Sequence, residues 1–388
     1  YHDVPSKTSG SDFYYRRCWK MGNEAKRFVG IDLSKRTYEA VAITVNPQTI
    51  TRWNGKLDLR GRKRLLDKLH SGDTIALEAG TASFKIAKEI QSKQGVMVVV
   101  LNAANVAIIH ASLKKTDKED ALKLARLIEK YSPEELPVVP IPTDQEMERR
   151  ALVAHETRFR QDRVRLINRL HAVFLRAGFP DHTKRQLGIA ASREKLIVSE
   201  LDGFNLVEAM NLDHMIVEYE KILEDLDKQI NDTVVACGED AEILLSIPGF
   251  GIKTTMAVLA YAGDMRRFEN PSQLVNYIGF SPRLYASGDI ERSGSITKRG
   301  NPQVRWLLIQ SAWCMVQSKA ANPLKDRFDA MLKRGKAKSV AIVALARKLL
   351  ELVFILLTRR EKYRFIDPSL YAIKLRRAGF NLVGAGIG

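Results

Sequence analysis

At 388 residues the chain is too long for one ordinary hydrophobic core, and its 45% hydrophobic and 28% charged residues exclude a disordered polymer. The 62 Lys and Arg against 45 Asp and Glu leave a formal net charge of +17, which points to a polyanionic partner, because each phosphate neutralised releases a counterion. Cys18, Cys237 and Cys314 are odd in number, widely spaced and free of any CxxC pair, so neither a disulfide framework nor a zinc site is expected.

Residues 1–24 contain no long apolar run, so no secretory signal is expected there, and they read as a flexible N-terminal extension. Arg27–Lys35 is an apolar run ending in an acid, typical of a buried strand. Thr37–Asn46 and Thr49–Asp58 alternate as the next two strands, with Asn46-Pro47 as the turn. A basic amphipathic helix follows at 60–70, then a strand at Asp73–Glu78, a helix at Ala82–Gln91 and a strand at Val96–Leu101. Three consecutive strands followed by helix-strand-helix-strand-helix is the order of the ribonuclease H fold, here assigned to 25–135.

Pro137, Pro140 and Pro142 predict a stiff, helix-free connector. Beyond it, 143–237 reads as a helical, coiled-coil region. Glu146–Arg176 is rich in arginine, and a second helix at 206–236 repeats Ile216, Tyr219, Leu223, Leu226 and Ile230 near heptad spacing. Residues 240–388 predict a mainly helical C-terminal domain. Its most apolar stretch, Val340–Leu357, carries Arg347, Lys348 and Glu351 in the middle, so it reads as a buried helix rather than a membrane span. The fold class is therefore α/β plus α.

Four acids form the candidate centre. Asp32 ends the first strand and Glu78 the fourth, and neighbouring strand ends of an open sheet face one crevice. Thr116 and Glu119 predict a capping box, so a helix should begin at Asp117 and carry Asp117 and Asp120 on the face continued by Ala121, Leu124 and Ile128. Acids aligned with a buried stripe are costly unless compensated, and hard divalent cations prefer several carboxylate oxygens. A simpler reading of Asp117 and Asp120 is that first-turn acids favour the positive end of the helix dipole. Gly30-Ile31-Asp32-Leu33-Ser34 also resembles the first phosphate strand of actin-like sugar kinases, but no further Gly-rich phosphate loops follow.

Ile247-Pro248-Gly249-Phe250-Gly251-Ile252-Lys253 resembles a helix-hairpin-helix element, whose glycines and helix start suit a DNA strand. Downstream lies a basic loop with Arg283, Tyr285, Ser287, Arg292, Ser293, Ser295, Lys298 and Arg299. Any of its hydroxyls could be a nucleophile by type, and no histidine is near in sequence to activate one.

Taken together, Val29-Gly30-Ile31-Asp32, Leu77-Glu78-Ala79, Lys115-Thr116-Asp117 with Asp120-Ala121, and the block from Ile247-Pro248-Gly249 through Phe280-Ser281-Pro282 to Lys298-Arg299-Gly300-Asn301 resemble insertion-sequence transposases of the 110/116/902 family. The resemblance spans about 27–357 and implies a RuvC-like N-terminal domain, a coiled-coil middle and a C-terminal transposase domain. It also implies that Asp32, Glu78, Asp117 and Asp120 hold magnesium, with manganese as a substitute, and that Ser287 joins covalently to a DNA 5′-phosphate. A structured guide RNA, target and donor DNA, a dimer or tetramer, no membrane, and a cytoplasmic, nucleoid-associated location complete the implied picture. Gly249, Gly251, Lys253, Arg283, Arg292, Lys298 and Arg299 become candidate nucleic-acid contacts, as do Arg158, Arg163, Arg165 and Arg169. Where the family has Glu-Ala-Thr/Ser-Gly, this chain reads Glu78-Ala79-Gly80-Thr81. The nearest alternative is a junction-resolvase-like endonuclease, which needs the acids but no serine.

Overall fold

The computed structural model describes residues 27–103, 106, 117–132, 135–287, 290–318 and 322–381, with the backbone alone at 117–118, 284–287 and 290–293. The extension expected at 1–24 and the capping Thr116 lie outside the described residues. The chain divides into two compact units between Thr143 and Asp144.

The first unit is built on β1 (Arg27–Leu33), β2 (Thr37–Val45) and β3 (Gln48–Lys56), then α1 (Leu59–Asp67), β4 (Thr74–Glu78), α2 (Ser83–Gln91), β5 (Met97–Leu101), α3 (Asp117–Lys130) and β6 (Val138–Val139). The six strands form one mixed sheet in the order β3-β2-β1-β4-β5-β6. β1, β2 and β3 are antiparallel neighbours, whereas β1, β4 and β5 run parallel. This arrangement is consistent with a ribonuclease-H-like domain. The sheet gains one strand that the prolines hide: β6 pairs antiparallel with β5, and Pro137 takes part through its carbonyl, which accepts from the Asn102 amide at 2.9 Å.

Strand alternation sends neighbouring side chains to opposite faces. Val29, Ile31, Ile75, Leu77, Val98 and Val100 pack on one face with Leu65 of α1 and Ile86 and Ile90 of α2. Phe28, Ala76, Val99 and Leu101 pack on the other with Leu124, Leu127 and Ile128 of α3. Val41 and Ile43 meet Ala121, Leu122 and Ala125 on that same face. Gly30 is required there: a Cβ on it would collide with the Ala121 carbonyl, so only glycine lets α3 lie this close to β1.

In the second unit, α4 (Asp144–Arg176) is linked by α5 (Lys184–Leu187) and α6 (Ala190–Glu200) to α7 (Gly203–Ala236). The long helices are antiparallel, since Arg176 pairs with Glu208 at 2.5 Å while Arg160, more than four turns earlier, reaches Asp227 at 3.5 Å. Arg193 of α6 is fully buried and binds Asp213, Glu220 and the Leu187 carbonyl, fastening α5, α6 and α7 together. Then come α8 (Glu239–Leu245), α9 (Ile252–Ala262), α10 (Pro271–Ile278), β7 (Pro282–Ser287), β8 (Ile290–Ile296), α11 (Pro302–Gln317), α12 (Pro323–Lys333), α13 (Lys338–Arg359) and α14 (Pro368–Ala378). Ala341, Leu345, Leu349 and Val353 of α13 sit in the core with Ile247, Phe250 and Leu308. Glu351 of α13 pairs with Arg347 and Lys348, at 3.2 and 2.6 Å. No helix among the described residues is long and apolar enough to cross a membrane.

Candidate active site

Parallel register places Ile31 opposite Leu77, so Asp32 and Glu78 follow as neighbours at the carboxyl ends of β1 and β4. By alternation they share the face of Gly30 and Ala76, the face covered by α3. The direction of α3 is equally fixed. Phe28 packs with Leu127 and Ile128, Gly30 abuts Ala121 and Ala125, and the helix therefore starts beside the strand ends that carry Asp32 and Glu78. Asp117 is the first described residue of α3, its side chain outside the described atoms. Asp120, one turn on, is ion-paired with Lys123 at 2.6 Å.

A fifth acid lies on this face. Glu39 stands directly across the antiparallel pair from Asp32, and both are half-buried. Like charges directly opposed across two strands are unfavourable unless something positive offsets them. The sequence carried the signal, since Glu39, Val41 and Ile43 alternate together, but only the register shows that Glu39 faces an acid. Among the described residues no three His, Cys, Asp or Glu side chains form a group that could hold a metal ion, and Asp117 stands outside that set. The residue types suit a hard divalent cation, with Asp32 and Glu78 on one face of adjacent strands.

In the second unit, β7 and β8 form a hairpin where the sequence suggested a basic loop. Ser287 pairs with Ile290 and Tyr285 with Arg292, which puts Ser287 at the last position of β7. Gly288 and Asp289, and the side chains of Tyr285, Ser287, Arg292 and Ser293, lie outside the described residues. Arg283, Ser295, Lys298 and Arg299 are exposed. The hairpin's root is firmly built. Gly279, at φ 86°, presses on the amides of Arg299 and Gly300, and Gly300 has no room for a Cβ beside the Tyr277 carbonyl. Buried Arg305 donates to the carbonyls of Ile278 and Gly300, and burial lowers its pKa. Asn301 caps α11 by accepting from the amides of Gln303 and Val304 at 2.9 and 3.1 Å. The Lys298-Arg299-Gly300-Asn301 run thus has a structural duty that its basic composition concealed.

Ile247–Gly251 turns α8 into α9. Gly249, at φ 81°, is demanded by packing, because a Cβ would strike the Ser311 carbonyl of α11. Gly251 is exposed, with nothing within 4 Å of a Cβ position, so of the two it is the one open to a close approach. Two cations read as nucleic-acid contacts have partners inside the protein. Lys253 binds Glu156 at 2.6 Å and Asp227 at 2.9 Å. Arg163 binds Glu220 and the Gly188 carbonyl at 2.8 Å. Arg158, Arg165 and Arg169 are exposed, Arg165 beside Asp162 at 2.5 Å.

These features match known proteins in both units. Residues 29–180 match a family model of the DEDD, IS110 type described as "Transposase", and residues 241–328 match "Transposase IS116/IS110/IS902 family". The chain is 30% identical over 264 residues to the transposase for insertion sequence element IS1111A of Coxiella burnetii, covering 64% of this chain and 68% of that one. It is 26% identical to the pilin gene-inverting protein of Moraxella lacunata, over 87% of this chain and 98% of that protein. It is also 25% identical to a probable family 20 transposase of Pseudomonas aeruginosa, with coverage of 87% and 98%. The chain belongs to the IS110/IS116/IS902 family of insertion-sequence transposases, enzymes that cut and rejoin DNA.

Proposed function

We propose that this transposase breaks DNA strands by metal-dependent phosphoryl transfer at Asp32, Glu78, Asp117 and Asp120, and that Ser287 is the nucleophile. The observation that carries the reading is the shared face of Asp32 and Glu78 at adjacent parallel strand ends, with the start of α3 beside them. Magnesium, or manganese in its stead, would be held by these carboxylates and would supply charge stabilisation to the scissile phosphate. Asp32 and Glu78 orient the centre from a rigid sheet, while Asp117 and Asp120 close it from the helix.

In the proposed step the Ser287 oxygen attacks phosphorus and the bond from phosphorus to the DNA 3′-oxygen breaks. The serine proton leaves to a base, the departing 3′-oxygen takes up a proton, and the 5′-phosphate stays on the serine as a phosphodiester. Attack by another strand's 3′-hydroxyl reverses these bonds and releases the serine, so rejoining needs no external energy source. No histidine occurs in 281–301, so the base is a carboxylate or comes from elsewhere in the protein.

Residues 25–135 act as the RuvC-like DEDD domain, 143–237 as a coiled-coil region and 240–388 as the transposase domain with its helix-hairpin-helix-like turn. A structured guide RNA would use exposed cations of α4, Arg165 and Arg169, and the chain would work as a dimer or tetramer of identical subunits. DNA contacts fall to Gly251, Arg283, Arg292, Lys298 and Arg299.

Incubation of wild-type, Asp32→Asn and Ser287→Ala chains with a DNA substrate and magnesium, followed by a denaturing gel, tests the mechanism. The wild type should give a protein–DNA adduct, Ser287→Ala none, and Asp32→Asn neither adduct nor cleavage. Cleavage by Ser287→Ala at the wild-type rate would instead favour a resolvase-like endonuclease.

A further inference from the structure

Away from the acids, the second unit gathers guanidinium groups about Tyr261 and Tyr277. Arg150 of α4 donates Nε to the Ala260 carbonyl at 2.8 Å and stands 5.6 Å from the Tyr261 ring centre. Arg267 donates Nη2 to the Tyr261 carbonyl at 3.0 Å and lies 4.7 Å from the ring centres of Phe268 and Tyr277. Arg158, two turns beyond Arg150 on α4, is exposed and donates Nε to the Ala154 carbonyl at 3.2 Å. Burial raises the pKa of the Tyr261 hydroxyl, while a hydrogen bond with Asn301 and the nearby charges of Arg150 and Arg158 oppose that rise.

Among the described residues neither Arg150 nor Arg158 is salt-bridged to a carboxylate, and Glu146 sits instead beside Gly263 near Arg267. Arg150 Nη2 and Arg267 Nε are buried with no hydrogen-bond partner. Asp264 and Glu146 lie near Arg267, but Arg150 and Arg158 share the neighbourhood of Tyr261 without a carboxylate, and the two buried donors without acceptors cost free energy. An anion with several oxygens answers both costs, and the planar guanidinium matches phosphate geometry with two parallel hydrogen bonds. Lys298 and Arg299, exposed just ahead of the Asn301 cap, continue the positive surface, which suits a chain of phosphates better than an isolated one.

We infer that Arg150, Arg158 and Tyr261, with Arg267 bonded to the Tyr261 carbonyl, form a seat for a backbone phosphate of DNA. The seat rests on the transposase reading for its choice of polyanion. Binding of the full chain to a labelled DNA duplex, titrated across salt concentrations, tests it. Arg158→Gln and Arg150→Gln should each weaken binding about fivefold and lower the slope of log affinity against log salt by about one. Arg266→Gln removes an exposed arginine clamped at 2.6 Å on Asp264 and should leave the slope unchanged.

Since Arg158 is exposed, its variant keeps the test decisive should Arg150→Gln fold poorly. A wild-type slope in Arg158→Gln, an equal loss in Arg266→Gln, or a loss seen with an RNA duplex but not with DNA would overturn the seat. Variants that keep the wild-type slope while the wild type cuts DNA sink the seat alone. A wild type that binds DNA with the expected variant losses, yet never cuts it, leaves the seat standing and removes the mechanism above.

Discussion

The acidic face of the first unit and the arginine-rich helices of the second both concentrate one sign of charge, yet they do so to different ends. On the sheet, acid faces acid across a strand pair, and Lys123 is the cation paired with Asp120. On α4 and α6, several arginines are matched to acids of α7: Arg193 to Asp213 and Glu220, Arg163 to Glu220, Arg176 to Glu208. Acids set opposite one another across a strand pair do not attract, whereas an arginine matched to acids on a neighbouring helix holds the two in register. A formal net charge cannot distinguish the two.

The sharpest way to break this contrast is to neutralise one charge in each region. Asp32→Asn should reduce DNA cleavage by roughly a thousandfold, corresponding to about 4 kcal/mol of lost stabilisation of the reacting phosphate, with little change in folding. A cleavage rate within tenfold of wild type would remove Asp32 from the chemistry. Arg193→Ala should do the reverse, leaving two acids without their buried partner and costing about 3–5 kcal/mol in urea unfolding. A loss below about 1 kcal/mol would show that Arg193 is not the fastening it looks to be.

Between these extremes, Gly30→Ala should cost about 2–3 kcal/mol, because α3 must back away from β1, and cleavage should fall with it. Unchanged stability would mean that the helix can shift freely.

Lys374 offers a test through pH. It is half-buried, donates to the carbonyls of Leu245 and Ile247 at 2.9 and 2.8 Å, and desolvation lowers its pKa from 10.5 to about 8. The folded protein therefore releases this proton earlier than the unfolded chain, so stability should rise as pH climbs from about 8 towards 10.5 and should lose that gain on the way down. The difference in unfolding free energy between wild type and Lys374→Met isolates the contribution. A difference flat across that window would contradict it. The smallest effect belongs to Arg165→Gln: a pair this exposed contributes within about 0.5 kcal/mol, so a larger loss of stability would give Arg165 a structural task.

Much of the first unit was legible because a half-buried strand alternates and a buried one does not, so β1 to β5 and their order follow from period alone. The helix at Asp117–Lys130 was readable too, as were the strand-end positions of Asp32 and Glu78. Glu39 was not, because its significance depends on which residue the sheet sets opposite it. β6 was hidden by prolines that ordinarily argue against a strand. The β7–β8 hairpin was hidden by Ser, Gly and Arg, which lack the apolar alternation of a core strand. Arg163 and Lys253 looked like free cations because a sequence shows charge without showing the acid, dozens of residues away, that takes it up. The roles of Arg305 and Asn301 were masked for the same reason: the Lys298–Asn301 run looks basic, while its fit depends on carbonyls and amides.

The opposed pair Asp32 and Glu39 has one more consequence. On the proposed reading, a divalent cation that binds this folded sheet end and not the unfolded chain would link occupancy of the centre to stability of the first unit. Titrating divalent ion into the DNA-free protein should then raise its melting temperature, and an unchanged melting temperature would deny the link.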